Sequence, residues 1–254
     1  HSSQKGYQTK RAYLLKGEKL PPGEFGVMHG YMKIPELKKV CHAYGVSINE
    51  YLVAVYVWSV YTECMHGMPS ERPVRVAVPV NLRPYFNSIT TKNFFVMVSA
   101  EFHPTKEIYT FEEVLKSVSE SLRSQISREN LEKLFSYNVS NEKLLAARIV
   151  PLFLKNLAMR YVYTTSALAN TATVTNIGNI SVSEEYRPYV EMFHAFLAMS
   201  KGQHLKGTIC SYGDTLVFSF SYDLTDTSVQ RGFFRKIAAD GIAVEIETNG
   251  VNYE

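Results

Sequence analysis

Two short stretches place polar side chains within otherwise apolar segments. The stretch "PVNLR" ends a run of valine and alanine with Asn81 and Arg83, and "TVTNIGN" carries Thr175, Asn176 and Asn179. Amide side chains at the end of a strand can donate to and accept from a ligand at the sheet edge, and a nearby glycine allows close approach. The alternative is that these amides only complete turns and bulges, because Asn close to Gly is also common in turns.

Several other chemistries lack their sequence motifs. The chain has no phosphate-binding glycine loop, no G-x-S-x-G element and no helix with two histidines at metal-binding spacing. Its seven histidines are scattered, and His194, within an apolar run, is interpreted as a core or sheet histidine. The odd number and wide spacing of the cysteines predict reduced thiols rather than disulfides; they are Cys41, Cys64 and Cys210. We therefore expect neither a metal site nor a permanently bound cofactor.

Composition and charge narrow the class of protein further. The 254 residues are 46% hydrophobic, enough for one large domain or two small ones with a buried core. A net charge of +3, without basic runs interleaved with aromatics, predicts no nucleic-acid binding. The longest apolar runs, such as "YLVAVYVWSVY", are too short to cross a bilayer, and no signal segment opens the chain. The sequence predicts a soluble, cytoplasmic protein.

The N-terminal segment differs in character from the rest. The chain opens with "HSS" and no methionine, which we interpret as a tag remnant. The cluster "KGEKLPPGEFG" is typical of irregular structure. We predict a tag remnant and an extended arm over residues 1–30, followed by a single domain over residues 31–254.

Helix signals are clearest in the first half of the chain. A short helix is predicted from Pro35 to near Gly45, followed by a second one that Ser47 caps and Glu50 completes as a capping box. That second helix is apolar nearly all round and should be buried. A third helix starts at Phe111, with Thr110 as its N-cap and a single apolar stripe.

The remaining elements are mostly strands. Strands are predicted over "VRVAVPV", "FFVMVSAEFH", "TATVTNIGNISV", "VEMFHAFLAMS", "LKGTICSYG" and "DTLVFSFSYDL", with "YGDT" as a hairpin turn. Residues 128–164 are predicted as helices interrupted near "YNVSN" and bent near Pro151. A final helix is predicted over about 227–248, with Asp226 as N-cap. This order predicts a mixed α/β fold with a partly antiparallel sheet packed against helices.

The order of these segments resembles a known family. "HAYGVSINEYLVAVYVWSV", "VRVAVPVNLRPY", "KNFFVMVSAEF" and "VTNIGNI" resemble, in that order, the C-terminal half of the coenzyme A-dependent acyltransferase superfamily. This superfamily includes chloramphenicol acetyltransferase, condensation domains of peptide synthetases, wax ester synthases and alcohol acetyltransferases. The resemblance covers residues 37–243 and implies a chloramphenicol acetyltransferase-like lobe. In the family, two such lobes form a tunnel in which acyl donor and acceptor meet.

Individual family motifs match with substitutions. Ile48–Glu50 is similar to V-N-D with Glu in place of Asp, and Val78–Arg83 is similar to V-P-V-x-x-R. Lys92–Asn93 is similar to G-N without the glycine, and Thr175–Gly178 is similar to S-N-x-G.

The resemblance implies which residues face the tunnel. Asn176 and Thr175 are the first expected substrate contacts, followed by Asn81 and Arg83, whereas Asn49 is expected to be structural. The family's H-H-x-x-x-D motif supplies a histidine general base, but no histidine here has an aspartate four residues on. No catalytic residue is therefore assigned to this chain.

The resulting hypothesis is the C-terminal lobe of an acyltransferase, inactive by itself. It would act with a missing N-terminal lobe of the same protein, moving an acyl group from a thioester, acyl-CoA, to an alcohol or amine. The lobe alone should expose an apolar face and self-associate or bind its partner lobe. Two alternatives stay open: a non-catalytic binding or scaffold module, and a condensation-domain lobe acting on carrier-protein thioesters.

Overall fold

The computed structural model describes residues 11–86, 89, 94–142, 151–200 and 202–250. The predicted tag remnant and Lys92–Asn93 lie outside these residues. The described strands are β1 (Gly26–Lys33), β2 (Val74–Asn81), β3 (Phe95–Phe102), β4 (Ala172–Asn179), β5 (Leu205–Tyr212), β6 (Thr215–Tyr222) and β7 (Val244–Thr248). The described helices are α1 (Ile34–Tyr44), α2 (Ile48–Ser59), α3 (Arg83–Phe86), α4 (Phe111–Gln125), α5 (Arg128–Glu142), α6 (Leu152–Ala167) and α7 (Ser228–Ala239). None of the helices in this part of the chain is long and apolar enough to cross a membrane.

The strands form one mixed sheet in the order β3-β2-β4-β5-β6-β1-β7. β2–β4 and β4–β5 are parallel, and the other neighbouring pairs are antiparallel. The predicted hairpin is present, because β5 and β6 pair through to Tyr212 and Thr215 on either side of the turn. The prediction of a mixed α/β fold with a partly antiparallel sheet is confirmed.

The pairing of β2 with β4 is short. Its register pairs are Val76 with Ala172 and Ala77 with Thr173. The carbonyl of Arg75 accepts from the backbone N–H of Thr171 at 2.7 Å, so the backbone polar groups of Arg75 point towards β4. Because these groups alternate in direction along a strand, the backbone of Pro79, four residues further on, also points towards β4. The missing N–H of Pro79 therefore falls beyond the end of the ladder, which explains how a proline fits in an internal strand.

Helix α2 forms the centre of the core, as predicted. Ser47 Oγ accepts from the backbone N–H of Glu50 at 3.2 Å, and Glu50 Oε2 accepts from the backbone N–H of Ser47 at 2.7 Å. The helix packs against β2, α4 and α7, and Tyr56 Oη donates to the Leu205 carbonyl at 3.1 Å. A helix that is apolar all round is stable here because protein covers it on every side.

The predicted third helix is α4. Thr110 and Glu113 form its capping box. Its apolar stripe is buried, and Arg123 Nε on its last turn donates to Glu50 Oε1 at 2.6 Å, which joins α4 to the start of α2.

The prediction of one final helix over residues 227–248 is wrong. The helix ends at Ala239, Gly241 takes a left-handed backbone angle (φ 85°), and β7 follows along β1. The sequence pattern that indicates this strand is the alternation of apolar and acidic residues in "VEIET", which has the two-residue period of a strand. Asp226 is one residue too early for the N-cap, which is Thr227, although its carboxylate accepts from the backbone N–H of Ser228 at 2.8 Å.

The predicted strand "VEMFHAFLAMS" is also wrong. Residues 190–199, called the covering segment below, lie outside the strands and run over the sheet face opposite the helices. Side chains of the sheet hydrogen-bond to its carbonyls: Ser221 Oγ to Leu197 at 2.6 Å and Lys206 Nζ to Ala198 at 2.8 Å. Side chains thus satisfy some of the carbonyls of the segment, in place of a neighbouring strand.

The predicted arm over residues 1–30 overlaps β1. Gly26 and Gly30 suggested irregular structure, yet both lie in the strand. Aromatic rings from elsewhere in the chain occupy the space that a side chain would fill at each position. A Cβ on Gly26 would lie 2.1 Å from the Tyr222 ring, and one on Gly30 would lie 2.1 Å from the Phe234 ring. The arm is also partly buried, at Ala12, Leu15 and Leu20.

The interruption predicted near "YNVSN" does not fall within that stretch, and the residues just after it, 143–150, lie outside the described part of the chain. Helix α5 continues from Arg128 to Glu142 through this stretch, because low helix propensity is only a weak preference. Pro151 immediately precedes α6, a position where its missing N–H breaks no helical hydrogen bond.

Candidate functional site

Asn176 lies at the carboxyl end of β4, where the strand leaves regular pairing. The register with β5 shifts between Asn176 and Gly178, and Gly178 has a φ of 85°. The exposed Asn176 side chain stabilises this bulge, since its Oδ1 accepts from the backbone N–H of Gly178 at 2.8 Å. The alternative that this asparagine only completes a turn therefore explains the role of its side-chain oxygen.

The other end of the amide reaches the start of α2. Asn176 Nδ2 donates to Asn49 Oδ1 at 3.4 Å, which is a long hydrogen bond. The structure thus brings together one residue predicted to bind substrate and one predicted to be structural. Asn49 is the second residue of α2, so the capping box at Ser47 and Glu50 also positions this contact.

Thr175 belongs to a row of polar residues across the sheet. The row comprises Thr175, Thr208, Ser219, His29 and Glu247, each the register partner of the next, on β4, β5, β6, β1 and β7. Their neighbours along the strands face the helices, so this polar row occupies the opposite face. Thr208 is buried and its Oγ1 has no hydrogen-bond partner among the described residues.

Asn81 and Arg83 form a separate turn. Asn81 Oδ1 accepts from the backbone N–H of Arg83 at 3.0 Å and from its Nη1 at 3.3 Å. These hydrogen bonds agree with the turn-forming alternative, in which the amide shapes the exit from β2. Because β2 and β4 are parallel, Asn81 and Asn176 lie at the same edge of the sheet.

A second polar cluster lies at the other end of the polar row. His29 Nδ1 and Ser219 Oγ are 2.7 Å apart, and the His29 ring stacks on His194 at 4.5 Å between centroids. Tyr31 Oη lies 2.8 Å from His194 Nε2 and donates to Glu247. Burial and the neighbouring His194 lower the pKa of His29, and burial together with Glu247 raises the pKa of Tyr31.

This cluster was not predicted. His194 is exposed in the covering segment, so its interpretation as a core or sheet histidine is wrong. Residues 31, 194 and 247 border an open cavity of about 740 Å³. The sequence pattern that could have predicted this cluster is the alternation of side chains along β1 and β7. It was obscured by the glycines in β1 and by the assignment of residues 227–248 to a helix.

Cys41, Cys64 and Cys210 carry free thiols, and burial raises the pKa of Cys64 to about 11. In the part of the chain that the structure describes, no three His, Cys, Asp or Glu residues are grouped to hold a metal ion.

Comparison with solved structures identifies the class of fold. The chain is similar to a nonribosomal peptide synthetase (TM-score 0.59, 16% identity, covering 91% of this chain and 22% of that one). It is similar to the trichothecene 15-O-acetyltransferase of Fusarium sporotrichioides (TM-score 0.57, 14% identity, 89% and 48% covered). It is also similar to the wax ester synthase/diacylglycerol acyltransferase of Marinobacter aquaeolei VT8 (TM-score 0.52, 16% identity, 91% and 52% covered).

These likenesses confirm the predicted resemblance at the level of the fold, which is that of the acyltransferase and condensation proteins. No family model matches the chain, and no curated protein matches it in sequence. The chain spans about half the length of the two acyltransferases and less of the peptide synthetase.

Proposed function

We propose that this chain is the C-terminal lobe of an acyltransferase that moves an acyl group from a thioester, acyl-CoA, to an alcohol or amine. The observation that carries the proposal is the fold shared with two acyltransferases over about nine tenths of this chain. A fold can host several functions, so the chemistry must be argued from the site.

The carboxyl edge of β2 and β4 is the proposed acyl-transfer wall. Because the β2–β4 ladder is short, the carboxyl ends of these two strands are not paired with each other, although each still pairs with its other neighbour. Asn176 offers an amide N–H on the helix-facing side of this edge, and Thr175 offers a hydroxyl on the opposite face. Either group suits the carbonyl oxygen of a thioester or the oxygen of an acceptor alcohol. Asn81 and Arg83 shape the neighbouring exit of β2 and are proposed as secondary contacts.

The general base is proposed to come from outside this chain. A histidine within hydrogen-bond reach of the acceptor hydroxyl is the usual base for such a transfer. We propose that the second lobe carries it, and that the chain without that lobe transfers no acyl group.

The test compares acyl transfer by the full-length protein and by this 254-residue chain, measured as free coenzyme A released from acyl-CoA in the presence of alcohols or amines. We expect activity only in the full-length protein. Asn176→Ala should reduce kcat/KM by about 10-fold to 100-fold, because a hydrogen bond in a desolvated site is lost. Asn130→Ala, at an amide on α5 that donates to the Ser124 carbonyl, is the matched control and should leave kcat/KM unchanged. Robust transfer by this chain alone, or equal effects of the two substitutions, would contradict the proposal.

A second candidate is a condensation-domain lobe. The likeness to a nonribosomal peptide synthetase favours it, with a TM-score of 0.59. The same assay with a donor thioester on a carrier protein distinguishes it, since a condensation lobe should use this donor and ignore free acyl-CoA. If the full-length protein used neither donor, the scaffold alternative would replace both.

A further inference from the structure

Helix α6 presents its apolar side chains outwards. Eight large apolar side chains from Leu152 to Tyr163 are between 43% and 72% exposed. The half-buried side chains described between residues 152 and 165 are both polar, Lys155 and Thr164. This distribution is the reverse of that of a surface helix, which buries its apolar stripe and exposes polar residues.

The exposed apolar residues surround the helix. Successive residues lie about 100° apart on an α-helix, so Leu152, Phe153 and Leu154 alone point to three different sides. A membrane surface or a flat contact with a second copy of the chain would cover one side only. A helix that is apolar all round is typical of a protein core.

The comparisons indicate what could provide such a core. This chain spans 48% and 52% of the two acyltransferase chains, so these relatives carry about as much polypeptide again. Helix α6 is also connected to the strand that carries the proposed site, because β4 begins at Ala172, five residues after the helix ends at Ala167.

We infer that α6 inserts into an apolar groove of the second lobe of the same protein and is the principal contact between the lobes. This inference rests on the proposed function only for the existence of a second lobe, and it requires no catalysis. The groove must contact at least two sides of α6 and be lined mainly by apolar side chains, with polar groups opposite the exposed Asn156 and Arg160.

Hydrogen exchange tests this inference in the protein as it exists. Amide exchange in residues 152–167 is compared between the 254-residue chain and the full-length protein. We expect exchange at least tenfold slower in the full-length protein, while α4, which is already packed in this chain, exchanges equally in both.

Substitutions identify the surface responsible. In the full-length protein, Leu157→Glu and Tyr161→Glu should restore fast exchange in α6. Ile108→Glu, at an exposed apolar residue away from α6, is the matched control and should not. Unchanged exchange in α4 shows that each variant is folded.

Three results would overturn the inference. They are equal exchange of α6 in the two proteins, protection of α6 in the 254-residue chain that rises with its concentration, and protection that appears only with anionic phospholipid vesicles. Protection of α6 in a full-length protein that transfers no acyl group would leave the inference standing and overturn the proposed function.

Discussion

Glu50 joins the cap of one helix to the last turn of another. Its carboxylate accepts from the backbone of Ser47 and from the side chain of Arg123. Burial opposes ionisation of this carboxyl, but the hydrogen bonds from Arg123 and Ser47 outweigh it and lower the pKa of Glu50. One side chain thereby fixes the start of α2, where Asn49 contacts Asn176.

Removing the cap should destabilise the fold. Ser47→Ala leaves the backbone N–H of Glu50 without its acceptor, and we expect the free energy of unfolding to fall by about 1 kcal/mol. Urea denaturation measures this change. Ser124→Ala, an exposed serine on α4 outside any cap, is the control and should change stability by less than about 0.5 kcal/mol. Equal stability of the two variants would show that the capping box contributes nothing.

At the scale of elements, the bulge in β4 depends on one glycine. A Cβ at Gly178 would meet no atom within 4 Å, so only its left-handed backbone angle opposes substitution. Gly178→Ala should therefore destabilise the protein by about 1–2 kcal/mol. Gly178→Asn should cost less, because Asn tolerates this conformation. Thermal unfolding checks both, and wild-type stability of Gly178→Ala would mean that the bulge rearranges freely.

The folding stability of the protein should depend on pH through His29, which the covering segment contacts. His194 in this segment stacks on His29, and Tyr31 hydrogen-bonds to both His194 and Glu247. Glu191 and Glu245 line the same cavity as His194. The folded protein lowers the pKa of His29 from its ordinary value of 6.5, mainly through burial. The unfolded chain therefore takes up this proton at higher pH, and folding stability should decrease as the pH falls below about 6.5.

Melting temperatures between pH 7.5 and 5.5 measure this dependence. His29→Gln keeps a hydrogen-bonding group near Ser219 but cannot become charged, so its melting temperature should fall less than that of the wild type. His42→Gln, at an exposed position on α1, should behave like the wild type. An identical pH dependence in His29→Gln would contradict the role of this imidazole.

Elements specified by local sequence were predicted, and elements specified by distant contacts were not. The capping boxes at Ser47 and Thr110 and the β5–β6 hairpin depend on residues within a few positions, so their motifs were sufficient. Strand β1 was missed because Gly26 and Gly30 make room for rings about 200 positions away.

The candidate site follows the same division. The polar stretch "TVTNIGN", and after it the resemblance, drew attention to Thr175 and Asn176, but the contact with Asn49 spans 127 positions. The polar row depends on the register of five strands, which no short motif encodes. Whether Asn81, Arg83, Thr175 and Asn176 contact substrate stays a prediction.

For the whole molecule, one continuous core should give one unfolding transition. Buried residues of α2, α4, α7 and both halves of the sheet belong to a single cluster. Helix α2 thus connects the two halves despite the short β2–β4 ladder. Fluorescence of Trp58, the single tryptophan, and far-ultraviolet circular dichroism should report the same urea midpoint. Separate midpoints would indicate that the β2–β3 part unfolds independently.

The polar row also determines how the chain must align while it folds. If β6 slid by one residue against its neighbours, Ser219 and Ser221 would enter the helix-facing core, and Phe218 and Phe220 would move to the opposite face. Each buried hydroxyl left without a partner would cost about 1–3 kcal/mol, in addition to the lost burial of the rings. The row therefore makes misaligned sheets costly, whichever ligand the protein binds.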